Sequence, residues 1–313
     1  MIVAFLFPGQ GMEEPRMGLA LAERRPAARA LLERASAAAG VDVERLLYRG
    51  GTALERTEVL QPALTAVSLG VWEALRDGGC RPDFVAGHSL GEVAAWAAAG
   101  GVSAGQAVEL AAARGALMAQ ESARRPGRML AVFGAEPVLQ EALAHARGLG
   151  AVALAAHNGP QEWVLSGAGE ALESVNARYA SRFLPVSGAW HGPSMAGAVE
   201  PLRSALEAAA RPAEASRFVS NRDGTVAGPE AIPALLAEQL VRTVQWAAVL
   251  RALVEYGATD LVTVGPGRVL RGLVRKNLGD RLRVHTTEDR DELKKTIELV
   301  VTGRGKGDEE EAA

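Results

Sequence analysis

Short apolar runs alternate with longer amphipathic segments along this chain, and the alternation sets the expected architecture. Apolar strands read at residues 2–7, 83–87 and 259–264, each bordered by Gly or Pro. Helical periodicity dominates 16–39, 63–77, 92–100 and 104–122. Strands alternating with helices predict an α/β protein whose mainly parallel sheet is covered on both faces. The order changes after Arg124-Arg125-Pro126-Gly127. A strand (Met129–Phe133), a helix (Pro137–Ala146), two strands (Val152–Ala156, Trp163–Ser166), a helix (Glu170–Tyr179) and a strand (Ser181–Val186) follow. That βαββαβ order is the ferredoxin-like, split-βαβ signature. An inserted subdomain is therefore expected at 126–190, between the two parts of a larger lobe at 1–125 and 191–302. The Gly-rich, charged run from Gly303 to Ala313 reads as a disordered tail.

Composition narrows the class. Apolar residues make up 48% of 313 and aromatics only 4%, which suits a large helix-rich core packed with small side chains. A net charge of -3 gives no reason to expect nucleic acid as a partner. Cys80 is the only cysteine, so there is neither a disulfide framework nor a cysteine metal cluster. No His/Cys/Asp grouping has metal-ligand spacing, and Gly265-Pro266-Gly267 lacks the frame of a phosphate cradle; neither a metal nor a bound cofactor is expected. The apolar start, Met1–Phe7, has no basic flank and ends at Pro8-Gly9, too short for a signal peptide's core or a membrane span. A cytoplasmic monomer with no membrane partner is the expectation.

Candidate chemistry begins at Gly87-His88-Ser89-Leu90-Gly91, set between an expected strand and an expected helix. A serine there fits the nucleophile elbow, whose glycines let the backbone turn sharply and expose the hydroxyl. With 35 glycines in the chain, the bare G-x-S-x-G pattern is weak; its setting strengthens it. A serine hydroxyl needs a base, and histidine is the usual one near neutral pH. Of five histidines, His88 adjoins the serine and should point away from it, whereas His145 and His285 read as structural. His157 lies in an expected turn, and His191 where the subdomain rejoins the core. Position alone does not choose between those two.

Several motifs in order then narrow the reading: Phe7-Pro8-Gly9-Gln10-Gly11, Gln61-Pro62-Ala63-Leu64, Gly87-His88-Ser89-Leu90-Gly91-Glu92 and Arg114-Gly115. Val186-Ser187-Gly188-Ala189-Trp190-His191, Val244-Gln245-Trp246 and Val264-Gly265-Pro266-Gly267 complete the set. Over residues 3–278 the chain resembles the malonyl-CoA:acyl carrier protein transacylases, including polyketide synthase acyltransferases. The resemblance implies an α/β-hydrolase-like large lobe and a ferredoxin-like small one. It also implies a ping-pong transfer of malonyl from CoA, through an ester on Ser89, to the phosphopantetheine thiol of an acyl carrier protein. Carried over by position, Ser89 is the nucleophile and His191 the base, held by the backbone carbonyl of Gln245. The backbone N–H groups of Gln10 and Leu90 form the oxyanion hole. Arg114 grips the substrate carboxylate, and Gln61 helps to position it. Taken alone, Arg114 reads as an exposed helix arginine; the surrounding motifs give it this role. A planar guanidinium suits a carboxylate because its donors match both oxygens and its charge persists.

Two departures from the family pattern bear on substrate and partner. Trp190, before His191, either crowds the substrate α-carbon and excludes branched acyl groups or packs between lobes. An unusual dicarboxylic acyl group stays open beside malonyl. Arg124, Arg125 and Arg128 either steer CoA phosphates or an acidic carrier protein, or form a solvated basic turn. An acyl-editing serine hydrolase using the same Ser89 and His191 is the competing reading. Arg114 argues against it, because a monocarboxylic acyl group has no use for a cation there. A non-catalytic docking protein fits less well, since every expected reacting residue is present.

Overall fold

Nine strands are found among the described residues of this computed structural model, which cover 1–51, 56–211 and 216–311. They are β1 (Val3–Phe7), β2 (Phe84–Gly87), β3 (Arg128–Phe133), β4 (Val152–Gly159), β5 (Glu162–Gly167), β6 (Ser181–Phe183), β7 (Arg217–Val219), β8 (Asp260–Thr263) and β9 (Arg283–His285). β1, β2 and β8 have no exposed residue, so each needs partners on both edges and cover on both faces. They find them in a five-stranded sheet of order β7-β2-β1-β8-β9, parallel at every pairing. The mainly parallel sheet expected from the pattern is thus present, with Phe5 opposite Val85 on one side and Val262 on the other.

A second sheet of order β4-β5-β3-β6 is antiparallel throughout and carries the expected βαββαβ sequence of elements. Its outer face packs on the helices Glu136–Leu149 and Gly169–Asn176, making a small core of its own around Leu130, Leu139, Leu165 and Leu172. Its other face joins the main core through Met129, Ala131, Ala155 and Val164. The two sheets therefore share a buried seam, and the site lies near it.

Where the elements differ from the pattern, a local cause is visible. The single helix expected over 16–39 is two, Leu19–Ala22 and Pro26–Ala39, because Arg25 is extended and Pro26 opens the second. The helix expected at 63–77 starts earlier, at Thr57, and runs through Pro62; sixteen of its residues are buried, and that packing outweighs the proline's lost hydrogen bond. The last strand of the small sheet ends at Phe183, not Val186, just before Leu184-Pro185. The tail expected from Gly303 onward is instead the end of a helix, Arg290–Glu311, with residues 312–313 outside the described part. Buried Val300 anchors that helix, and Arg304 pairs with Asp83, which also accepts the Val3 N–H.

Candidate active site

β2 enters the site through a turn that only glycine permits at its two ends. A Cβ on Gly87 would lie 1.9 Å from the Gly91 carbonyl carbon, and one on Gly91 2.2 Å from the Phe7 oxygen. Between them Ser89 takes φ 52°, in the left-handed region that costs a side-chain-bearing residue about 1–3 kcal/mol. Its neighbours hold it there. The Ser89 N–H donates to Asn221 Oδ1 (2.9 Å), and its carbonyl accepts from Gln239 Nε2 (3.0 Å). The helix Gly91–Ala98 starts immediately afterwards, with Leu90 at its cap. Among the described residues, neither the Leu90 N–H nor the Gln10 N–H makes a hydrogen bond, so both donors are free to meet developing negative charge.

His191 also has a left-handed backbone, φ 58°, and its Nε2 lies 2.7 Å from Ser89 Oγ. Its Nδ1 lies 2.9 Å from the carbonyl oxygen of Gln239. A carbonyl can only accept, so Nδ1 carries the proton and the bare Nε2 accepts from the serine hydroxyl. The residue holding His191 is therefore Gln239, which corrects the assignment to Gln245. Gln245 caps the helix Trp246–Glu255, and its carbonyl is already taken by the N–H groups of Ala248 and Val249. The other histidines are occupied elsewhere. His88 Nε2 bonds Asn158 Oδ1 and its ring meets Trp246 edge-on; His157 sits in β4 against Trp163. His145 pairs with Ser174 and His285 with Asp260.

Arg114 comes from the helix Ala104–Arg124, opened by a capping box at Ser103 and Gln106, and is 2% exposed. Its Nη1 donates to Gln61 Oε1 (2.8 Å), and its Nη2 to Gln239 Oε1 (2.9 Å) and Ser89 Oγ (3.3 Å). Gln61 donates in turn to Thr57 Oγ1, whose hydroxyl donates to Gln10 Oε1. A hydrogen-bonded chain thus ties the loop after β1 to the guanidinium. Among the described residues no carboxylate pairs directly with Arg114. Its direct partners are two neutral amides and a hydroxyl, and Glu92 reaches it only through Gln239, so the guanidinium has room for a direct carboxylate partner.

Burial dominates the titration of the site. It lowers Arg114 to about 10, still protonated near neutral pH. It also pushes the buried Glu92 carboxyl up, against the opposing pull of Asn221, Gln239 and the Arg114 charge, and both its oxygens accept from N–H groups, the pattern of an ionised carboxylate. His191 falls to about 3, through burial first and the Arg114 charge second. The imidazole is consequently neutral and able to take a proton well below the usual histidine range. The kcat/KM for acyl transfer should stay flat from pH 7.5 to about 4.5, whereas a base with an ordinary pKa would lose half its rate near pH 6.5. A substrate carboxylate on Arg114 cancels part of that charge, so the acid limb of kcat should lie at higher pH than that of kcat/KM. Steady-state rates in overlapping buffers measure both, and an inflection of kcat/KM at 6.5 would refute the assignment. By linkage, the unfolded chain binds a proton at this histidine between pH 6.5 and 3 that the folded one does not, so stability falls as pH drops through that window.

The remaining expected residues divide. Trp190 is 4% exposed and donates its indole N–H to Ser122 Oγ (3.3 Å), the placement of a packing residue. Arg124 pairs with Glu121, and Arg128 with Glu173 while lying over the Phe183 ring; Arg125 donates to the Pro193 carbonyl near His191. Glu92, Asn221 and Gln239 entered the site without being anticipated. Glu92 is part of the elbow motif and carried a signal. Asn221 and Gln239 lie 132 and 150 positions from Ser89, with nothing local to mark them.

Residues 4–295 match the family model described as the acyl transferase domain, and the chain belongs to that family. It is 35% identical over 309 residues to the malonyl CoA-acyl carrier protein transacylase of Bacillus subtilis (strain 168), covering 96% of each chain. The structure of acyl-carrier-protein-S-malonyltransferase from Bartonella henselae matches with TM-score 0.88 at 30% identity, over 96% of this chain and 99% of that one. A malonyl-transacylase solved in complex with a type II polyketide synthase acyl-carrier protein matches equally, TM-score 0.88 at 30% identity, over 95% and 99%. The protein is an acyltransferase, and among the described residues no helix is long and apolar enough to cross a membrane.

Proposed function

We propose that the protein moves a malonyl group from CoA to the phosphopantetheine thiol of an acyl carrier protein, for fatty-acid or polyketide biosynthesis. The observation that carries the substrate is Arg114: a buried guanidinium that, among the described residues, bonds no carboxylate directly, its Nη2 3.3 Å from the hydroxyl that would be acylated. A malonyl carboxylate would pair directly with this guanidinium and leave the thioester carbonyl beside Ser89.

Ser89 Oγ then attacks the thioester carbon while His191 Nε2 takes its proton, and the Gln10 and Leu90 N–H groups meet the oxyanion. Collapse expels the CoA thiolate, which takes the proton back from His191 and leaves a malonyl ester on Ser89. In the second half the carrier thiol gives its proton to His191 and attacks the ester, and His191 returns that proton to Ser89 Oγ as the malonyl–Ser89 bond breaks. In keeping with the family, we read the lobes as α/β-hydrolase-like (1–125 and 191–302) and ferredoxin-like (126–190). Trp190 serves packing, and exposed Arg124 and Arg125 present positive charge towards an acidic carrier.

The test is to weigh the intact protein after mixing with malonyl-CoA and then add carrier protein bearing phosphopantetheine. A malonyl adduct on Ser89 that lasts minutes alone and discharges onto the carrier supports transfer. Loss to water at one rate with or without carrier would mean a hydrolase.

A further inference from the structure

Resting on Ser89 as the acylated residue, we propose that Glu92 is the positioning residue of this site, clamping the strained serine through Asn221 and Gln239. Glu92 is 1% exposed, and both its oxygens are used. Oε1 accepts the backbone N–H of Asn221 (2.6 Å), and Oε2 accepts from Gln239 Nε2. Each of those two residues then grips the elbow. The Asn221 side chain takes the Ser89 N–H on Oδ1 and donates from Nδ2 to the Gly87 carbonyl. Gln239 donates to the Ser89 carbonyl, accepts from Arg114 on Oε1 and accepts from His191 on its backbone oxygen.

The chemistry of the neighbours fixes the amide. Arg114 can only donate, and both Glu92 oxygens face N–H groups and accept, so Gln239 has a single satisfied orientation between them. Glu92 therefore sets the direction of one amide that touches nucleophile, base and substrate cation together. Both polar backbone groups of Ser89, a residue at φ 52°, bond side chains of the two residues that Glu92 anchors, Asn221 by its backbone N–H and Gln239 by its amide. The Ser89 carbonyl also accepts the Glu92 N–H.

Glu92→Gln is nearly isosteric but turns one acceptor into a donor. Its NH2 would face either the Asn221 N–H or the Gln239 NH2, and turning Gln239 to relieve this would set its NH2 against Arg114. Unpaired buried donors of this kind correspond to roughly a tenfold to hundredfold loss in rate. The full chain is tested in two ways: labelling of Ser89 by a fluorophosphonate, which does not need Arg114, and single-turnover acylation by malonyl-CoA. Glu92→Gln should slow both rates while the final labelled fraction stays at the wild-type level. Asn221→Ala, which leaves Glu92 in place, should slow the labelling similarly. A wild-type rate in the labelled fraction of both variants, with or without a reduced amplitude, would overturn the clamp, because damaged folding lowers the number of active sites and not their rate. Wild-type protein that accepts the fluorophosphonate but not malonyl-CoA would instead overturn the malonyl reading.

Discussion

Ser89→Ala should abolish the acyl-enzyme and lower transfer by at least ~10⁴-fold, with the fold retained. Ser89 Oγ is the hydroxyl 2.7 Å from a neutral histidine nitrogen. Alanine removes the only atom there that can form the ester. His191→Ala should cost about as much, and the double variant little more than either alone, because the two act as one unit. Folding should tolerate Ser89→Ala well, since the Ser89 N–H and C=O bonds to Asn221 and Gln239 do not involve the hydroxyl. Intact mass after malonyl-CoA and a carrier-loading assay give both numbers. An adduct on the Ser89→Ala protein would place the nucleophile elsewhere.

Arg114→Ala should invert the preference between acyl groups. Without the guanidinium, a malonyl carboxylate would be buried with no counter-charge, and Gln61 Oε1 and Gln239 Oε1 would both lose their donor. Breaking such a pair costs about 3–5 kcal/mol, or roughly 150- to 5,000-fold in kcat/KM for malonyl-CoA. Acetyl-CoA carries no second charge, so its kcat/KM should fall far less and the malonyl-to-acetyl ratio should collapse. Arg114→Lys should lie between the two, because an ammonium keeps the charge but cannot span Gln61 and Gln239 as the planar fork does. Competition between the two CoA esters, read by intact mass, measures the ratio. An unchanged ratio for Arg114→Ala would remove the account of selectivity.

The chain order of short apolar runs was enough to anticipate the parallel sheet and the inserted antiparallel one. Buried strands such as β1 and β2 must be apolar over their whole length, and that leaves a mark no context is needed to read. The elbow was equally legible, because a sharp turn with two close backbone approaches demands glycine at Gly87 and Gly91. The edge strands β7 and β9 were not, at three residues each and partly exposed. The end of the chain misled, since Gly-rich composition says nothing of the pairing of Arg304 with Asp83.

Sequence by itself proposed the candidates: the glycine-bounded elbow marked Ser89 locally, whereas His191 and Arg114 came from the resemblance to an ordered set of family motifs. Only the tertiary structure decided what holds them. Gln239 displaced Gln245 as the partner of His191 because carbonyl oxygens are identical along a chain, and only their directions in space distinguish them. The same holds for the left-handed His191 backbone, for Arg114 held by Gln61 and Gln239, and for Glu92 linking Asn221 to Gln239. Hydrogen bonds and burial depend on distances of a few ångströms between segments more than a hundred positions apart, and no local pattern of residue types encodes those distances.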